Sequence, residues 1–391
     1  MLTIPVYLDN HSTTRPDPRV VEAMLPYLTE HYGNAASLSH KYGWEAADAV
    51  ELARERVAAL IGAEPREVVF TSGATESNNL AIKGILNGQK QRGNHIVSAA
   101  SEHRAVLDPI KRLGREGRDL TLIAPDSTGL ITLDAIQSAL QEQTVFVSIM
   151  GANNEVGTLN EVAEIGRLCR ERGIVFHSDA TQAVGKIPFD VREIAADLIS
   201  FSAHKFHGPK GIGALFVSRR CKARIAPLFD GGGQEHGVRS GTLAVPLIVG
   251  FGKAAEIAMA EHAQDAERTQ ALRDRLFRAL TASLRGITVN GHPTRRLPGN
   301  LNVSFAGIDG EALMMGLRDV AVSSGAACTS ANPEPSHVLR SMGVDDELAR
   351  ASLRFGLSRF TTEEEVDFAA GRVVDVVNRL RSHGVLIDAP V

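Results

Sequence analysis

Lys205 ends the run Ser202-Ala203-His204-Lys205, directly after the apolar stretch Leu198-Ile199-Ser200-Phe201, and Asp179 stands 26 residues earlier at the head of Asp179-Ala180-Thr181-Gln182. A lysine fixed where a strand stops, with hydroxyl and imidazole donors beside it and an acid nearby, has the parts for covalent work. Its amine can form a Schiff base with an aldehyde, and the acid can hold the proton on a pyridine nitrogen. Pyridoxal phosphate needs both. Taken alone, a lysine at a strand end is ordinarily a solvated charge, so the weight falls on its surroundings.

Several other runs carry residues able to contribute. Thr71-Ser72-Gly73-Ala74-Thr75-Glu76-Ser77-Asn78-Asn79 joins a strand to a helix through small and hydroxyl residues. Free backbone N–H groups there suit a phosphate, although the same residues cap ordinary helices. Gly231-Gly232-Gly233-Gln234-Glu235-His236-Gly237-Val238-Arg239-Ser240-Gly241-Thr242 lets a backbone approach closely and offers Arg239, Ser240 and Thr242 to an anion, or is simply a flexible loop. His103, after Ser101-Glu102, can be a satisfied polar residue, a proton carrier or a flat partner for an aromatic ring. Arg354 sits in the apolar run Ser352-Leu353-Arg354-Phe355-Gly356, where a guanidinium grips a carboxylate or makes a plain salt bridge. Cys328 lies in Ser323-Ser324-Gly325-Ala326-Ala327-Cys328-Thr329-Ser330-Ala331-Asn332-Pro333-Glu334-Pro335-Ser336, a stretch of small residues and prolines that reads as a mobile exposed loop. A thiol there is a candidate nucleophile or an incidental cysteine.

These residues need elements to position them. Between residues 67 and 218 apolar runs alternate with amphipathic helical stretches, the pattern of a mostly parallel sheet covered by helices. The strands read as Val68–Phe70, His95–Val97, Leu120–Ile123, Val145–Ile149, Ile174–Phe176, Leu198–Phe201 and Ala214–Val217. Thr71-Ser72-Gly73, Ser101-Glu102-His103, Asn153-Asn154-Glu155, Asp179-Ala180-Thr181-Gln182 and Ser202-Ala203-His204-Lys205 all fall just beyond strand ends, the edge of an open α/β sheet where a ligand crevice forms. Asn160 reads as the N-cap of a helix that stops at Gly173. A helix from about Leu243 to Leu284 leads to a smaller C-terminal α/β domain, with strands Asn300–Phe305 and Val320–Ser323 and helices Glu311–Leu317 and Asp346–Ser352. The last helix, Glu363 to Ser382, opens on a capping-box pattern, Thr361-Thr362-Glu363-Glu364-Glu365.

Composition narrows the function classes. The 391 residues are 43% hydrophobic and 23% charged, as in an ordinary soluble globular chain long enough for two domains. The net charge of -4, without long runs of one sign, argues against nucleic-acid or anionic-membrane partners and for a small ligand. No signal-peptide pattern and no run near ~18 apolar residues is present, so the expected location is cytoplasmic. With three cysteines a disulfide framework is excluded. Cys169 falls on the apolar face of a helix as a structural thiol, and Cys221, among Arg219, Arg220, Lys222 and Arg224, reads as a surface-loop cysteine without function.

Taken together, Thr71–Ser77, Asp179–Gln182, Ser202–Lys205, Arg239–Thr242 and Ser323–Cys328, in this order and spacing, resemble the cysteine desulfurases of the NifS/IscS type, in the class V aminotransferase family of fold-type I pyridoxal-phosphate enzymes. The likeness runs from Tyr7-Leu8-Asp9 to about Phe368. It implies a large domain over 16–250 with a mostly parallel seven-stranded sheet, a smaller α/β domain over 251–391 carrying the Cys328 loop, and an N-terminal segment, 1–15, packed on the small domain. It implies that Lys205 holds pyridoxal 5'-phosphate covalently, Asp179 pairs with the ring nitrogen, Gln182 bonds the ring hydroxyl, and His103 stacks on the ring and moves protons. Ala74 lines the cofactor site. Thr75, Ser202 and His204 would bind the phosphate together with Thr242 of a second subunit, which makes a homodimer. Asn154 and Arg354 would orient L-cysteine, and Cys328 would take its sulfur as a persulfide while L-alanine leaves.

Two positions depart from the family pattern: Ser12, where relatives commonly have alanine, and His236, often arginine; neither is expected to touch a catalytic role. The tail to Val391 is unlike the one housekeeping members use to dock an iron–sulfur scaffold, so the acceptor is left open between iron–sulfur assembly and thiolation. No metal is implied. Competing readings are an aminotransferase or selenocysteine lyase using Lys205 and Asp179, a metal hydrolase using His177, Asp179, His204 and His207, and a sulfur carrier using Cys328 alone.

Overall fold

The chain begins with a short strand, β1 (Val6–Tyr7), and its apolar runs then form β2 (Val68–Thr71), β3 (His95–Ala99), β4 (Asp119–Ile123), β5 (Thr144–Ser148), β6 (Val175–Asp179), β7 (Leu198–Ser202) and β8 (Gly213–Val217). The computed structural model describes residues 2–88, 93–222, 225–324 and 334–383. Strands β2 to β8 make the expected seven-stranded sheet in the order β2-β8-β7-β6-β5-β3-β4. β8 runs antiparallel to both β2 and β7, and the other pairs are parallel. All strands except β8 therefore end on one edge. Every residue of β2, β3, β6, β7 and β8 is buried. Burial on both faces is why these strands read as continuous apolar runs rather than alternating ones.

The helix Val162–Glu171 starts later than its sequence suggests. Asn160 is not its cap: the side-chain oxygen accepts from the Ile131 N–H at 2.9 Å and the amide donates to the Met150 carbonyl at 2.9 Å. Asn160 thus ties two loops together, and Glu161 takes the boundary without a side-chain cap. The stop is as expected, with Gly173 at φ 70° where a side chain would be strained.

The 39-residue helix Val245–Ser283 belongs to two cores. Ile248, Phe251, Ala255 and Ala258 pack with the large sheet, whereas Leu272, Leu276 and Leu280 pack with the C-terminal elements and with Val6 and Leu8 of the N-terminal segment. The second core covers a sheet of β9 (Ile287–Asn290), β10 (Asn300–Phe305), β12 (Ser323–Ser324) and β13 (Ser352–Gly356), while β11 (Val320–Ala321) pairs with β1. The single strand expected over Val320–Ser323 is therefore two. Val320 and Ala321 pair with Val6 and Tyr7, and Ser323 and Ser324 cross to Arg354 and Leu353. The helix expected to reach Ser352 stops at Arg350, because Ser352 opens β13 and its hydroxyl meets that of Ser304 at 2.7 Å. The final helix, Glu363–His383, has its capping box: the Glu365 N–H donates to Thr362 Oγ1 at 3.2 Å, and the Thr362 N–H to Glu365 Oε2 at 2.8 Å.

Cys169 is buried as expected, its thiol pushed up to about 12 by burial and the nearby Asp197 charge. Cys221 corrects its sequence reading. It lies on the helical turn Arg219–Lys222 and is buried against Leu215 and Val217, while Arg219 and Arg220 turn aside to Glu64 and Asp197. Among the described residues no helix is long and apolar enough to cross a membrane.

Candidate active site

A cavity of about 580 Å³ opens at the edge where the strands end. All five polar clusters contribute to its wall: Gly73 and Thr75 after β2, His103 after β3, Asn154 after β5, Asp179 and Gln182 after β6, and Ser202, His204 and Lys205 after β7. Arg354 reaches it from β13.

Lys205 sits on the short turn Ala203–Lys205 that follows β7. Its ammonium donates to the carbonyls of His11 at 2.8 Å and Ser12 at 2.7 Å, and among the described residues no carboxylate pairs with it. Burial and the Arg354 guanidinium push its pKa down to about 8. Asp179, at the end of β6, is buried; Oδ2 accepts from the Asn78 amide at 2.7 Å and Oδ1 from the Thr181 N–H at 3.0 Å. Asn78 lies one turn inside the helix Ala74–Gly88, so this helix both starts at the cavity and fixes the acid.

Gln182 donates through Nε2 to the His11 carbonyl at 2.8 Å, and its Oε1 meets Lys186 Nζ at 2.6 Å and His11 Nδ1 at 3.1 Å. His204 Nδ1 lies 3.0 Å from Thr13 Oγ1, and burial together with Lys205 pushes its pKa to about 4, so the ring is neutral. The Ser202 hydroxyl donates to the Ile212 carbonyl at 3.1 Å, leaving its lone pairs toward the site. His103 caps the helix Arg104–Arg115, with Nδ1 accepting from the Ala105 N–H at 3.1 Å, which places the hydrogen of the neutral ring on Nε2. Next to it, the Glu102 carboxyl is fully buried. It accepts from the Met150 N–H at 2.6 Å, and burial, with Asp179 adding to it, holds its pKa well above the usual carboxylate range.

Arg354 Nη2 donates to Asp9 Oδ1 at 2.8 Å, Ser12 Oγ at 2.7 Å and Ser323 Oγ at 2.8 Å, and Nη1 to the Asn154 carbonyl at 2.9 Å. The salt bridge to Asp9 thus coexists with a place on the cavity wall. Ser12 is a correction: through its hydroxyl and carbonyl it touches both Arg354 and Lys205. His236, at φ 58° in the glycine-rich loop, does not line the cavity.

The glycine-rich run is not loose. Glu235 is buried and takes two bonds of 2.8 Å from Arg54 and one of 2.7 Å from the Phe70 N–H. Arg239 is held by Glu76 at 2.8 Å and so is not free for an anion. Thr242 is exposed and stands outside its own chain's cavity. Cys328 lies outside the described residues. The chain enters its segment from Ser323, on Arg354, and leaves it at Ser336, bonded to Glu155, and His337, whose Nε2 is 2.9 Å from the Glu102 carbonyl.

The metal-hydrolase residues do not converge. His177 lies between the Ser148 and Ser200 hydroxyls, His204 turns to Thr13 and His207 to the Arg15 carbonyl. Among the described residues no group of three or more His, Cys, Asp or Glu could hold a metal ion.

The wall does fit a flat ring with an anionic arm. Gly73 (φ 152°) and the start of the helix Ala74–Gly88 leave backbone N–H groups facing Ser202 and His204, a setting for a phosphate. Buried Asp179 suits a protonated pyridine nitrogen, and Asn154 Oδ1 and Thr181 Oγ1 are buried on the wall without a partner among the described residues. The volume is in the ~300–1,000 Å³ range of small-molecule sites.

Sequence reasoning gave no role to His11, Lys186, Asn78 or Glu102. Asn78 and Glu102 stood inside the runs Thr71–Asn79 and Ser101-Glu102-His103, whereas His11 and Lys186 had no local signal.

The profile of the aminotransferase class-V family matches residues 6–368. A relative from Anaeromyxobacter dehalogenans (strain 2CP-C), "Cysteine desulfurase IscS", is 55% identical over 387 residues, covering 99% of this chain and 96% of the relative. Among solved structures, a "NIFS-LIKE PROTEIN" superposes with TM-score 0.89 at 39% identity, covering 96% of this chain and 100% of that one. "SspA in complex with cysteine" gives TM-score 0.81 at 33% identity, covering 92% and 100%.

Proposed function

This chain belongs to the class-V aminotransferase family and is a pyridoxal-phosphate-dependent cysteine desulfurase, and from that premise we propose how its residues divide the work. The observation that carries the reading is one half-buried amine, Lys205, sharing a cavity with buried Asp179 at the ends of adjacent strands.

Lys205 would hold the cofactor, and an amine with a pKa of about 8 is suited to moving protons at the substrate. Asp179, pinned by Asn78 and Thr181, would pair with the ring nitrogen. Gln182 would donate to the ring oxygen, and His103 would stack on the ring and carry protons. Ala74, Thr75, Ser202 and His204 would hold the phosphate. Arg354 and Asn154 orient the carboxylate of L-cysteine. The bound cofactor supplies an electron sink for the pair left when the substrate's carbon–sulfur bond breaks. The Cys328 thiolate attacks the substrate sulfur, the new S–S bond forms as the C–S bond breaks, and a proton delivered to the freed carbon gives L-alanine. Before the Cys328 segment, Ser323 bonds Arg354 on the cavity wall; after it, Ser336 bonds Glu155 and His337 meets the carbonyl of Glu102, next to His103 of the wall. Cys328 is four residues from Ser324, a reach of at most ~14 Å.

The persulfide is then passed to a sulfur-acceptor protein, an iron–sulfur scaffold or a thiolation carrier. A cytoplasmic setting keeps that thiol reduced. The enzyme works as a homodimer. Val21, Leu25 and Leu28 on the helix Pro18–Thr29, with Tyr32, Tyr42 and Trp44, form an exposed apolar surface that a second copy can cover. Thr242, outside its own cavity, then serves the partner's phosphate. The chain divides into an N-terminal segment (1–15), a large domain (16–250) and a small domain (251–391), and the boundary at 250 falls within the helix shared by the two cores.

Incubated with L-cysteine and a reductant, the native chain is expected to release alanine and sulfide in equal amounts; pyruvate and ammonia, or no alanine, would overturn the reading. A second expectation comes from Lys205. Only the uncharged amine attacks an aldehyde, and its pKa lies near 8 rather than the ordinary 10.5. The rate at which the cofactor-free protein takes up pyridoxal phosphate, followed by visible absorbance, should rise about tenfold per pH unit below 8 and level above it. A rate still climbing at pH 10 would contradict the lowered pKa.

A further inference from the structure

Lys186 stands behind this site, bonded to Gln182 of its wall, and the reaction described above makes no use of it. Its Nζ lies 2.6 Å from Gln182 Oε1 and 3.4 Å from His11 Nδ1, and among the described residues no carboxylate pairs with it. Burial and the charges of Lys205 and Arg354 hold its pKa well below that of an ordinary lysine. It also borders a small cavity of about 50 Å³ that it shares with Lys205, where His11, His207, Asp265 and Arg359 are the other ionisable groups among the described residues. A buried amine without an acid is costly, and its one close bond is to Gln182.

That bond decides which way the Gln182 amide faces. In the observed orientation Oε1 receives Lys186 and His11 Nδ1, and Nε2 gives one hydrogen to the His11 carbonyl at 2.8 Å. Flipping the amide would set its NH₂ against the Lys186 amine and its oxygen against the His11 carbonyl, replacing attractive contacts with repulsive ones on both sides. Charged, the Lys186 nitrogen can only donate and so fixes the choice; neutral, it still donates to Oε1 while the His11 carbonyl, which can only accept, keeps Nε2 on its side. The second hydrogen on Nε2 is left for the cavity.

We propose that Lys186 is a positioning residue that locks the Gln182 amide with its NH₂ toward the cofactor's ring oxygen. The inference rests on the reading of Lys205 and Gln182 as cofactor residues. A donor at that oxygen favours its negative charge, and so eases loss of the proton carried by the Lys205 nitrogen when joined to the cofactor.

The test is the pH titration of the visible absorbance of the loaded protein. Lys186→Met should raise the midpoint by roughly one pH unit. In a Gln182→Met background the same change should add only a few tenths of a unit, because the group it positions is gone. An unmoved midpoint in Lys186→Met overturns the proposal, and so does an equal shift in both backgrounds, which would mark a through-space charge effect. If Lys186→Met fails to load, Lys186→Arg decides the matter. A midpoint kept within a few tenths of native supports positioning by a donor, and a shift of about one unit overturns it. A native chain with no visible absorbance would instead remove the roles given to Lys205 and Gln182, an outcome distinct from any of these.

Discussion

Lys205→Ala is expected to bind pyridoxal phosphate without its covalent absorbance and to turn over L-cysteine at least ~10³-fold more slowly than the native chain. No neighbouring amine substitutes. Lys186 Nζ is directed to Gln182 and His11, and the Arg354 guanidinium is held on Asp9 and Ser12 and is no nucleophile. Lys205→Arg should fail equally for that reason. The fold should survive, since the Lys205 amine borders a cavity that water can enter to meet the His11 and Ser12 carbonyls. Thermal unfolding with a native-like midpoint alongside lost turnover would separate chemistry from folding. A Lys205→Ala chain retaining more than about a tenth of native turnover would contradict the assignment.

Cys328→Ser should lose a comparable factor, on the order of 10²–10³, by a different route. A serine hydroxyl is too weakly acidic to supply the anion that a thiol supplies near neutral pH, and it cannot accept sulfur as a persulfide. The substitution leaves Lys205, Asp179 and the other described residues of the cavity wall unchanged, so this variant should load normally and its absorbance should still respond to added L-cysteine. The expected pattern is binding kept and alanine and sulfide lost. Full turnover by Cys328→Ser or Cys328→Ala would instead favour an aminotransferase or a selenocysteine lyase. The sulfur-carrier alternative predicts the opposite pattern, a colourless native chain in which only Cys328 matters.

How far the sequence carried depended on how local each signal was. The run Leu198-Ile199-Ser200-Phe201 announces a strand buried on both faces, and β7 is buried throughout. Polar residues after such a run must fall at the sheet edge, so Asp179, Ser202 and Lys205 could be brought together from spacing alone. Contacts made by long-range approach were not legible. Lys186 stands in Gly185-Lys186-Ile187 like any surface lysine, and only the arrival of His11, 175 residues away, encloses it. Ser12 gained its place through Arg354, 342 residues on, and Cys221 became buried because its basic neighbours found Glu64 and Asp197. Asn160 had the chemistry of a cap but was recruited by Ile131 and Met150 across a loop. In each case the partner that decides the residue's place was out of view of the local sequence.

The covalent role of the Lys205 amine underlies every other assignment in the site. Borohydride reduction of the native protein followed by peptide mass mapping should place the trapped pyridoxyl group on the peptide containing Lys205. A label on Lys186 or Lys210, or no label on a protein that contains the cofactor, would contradict it.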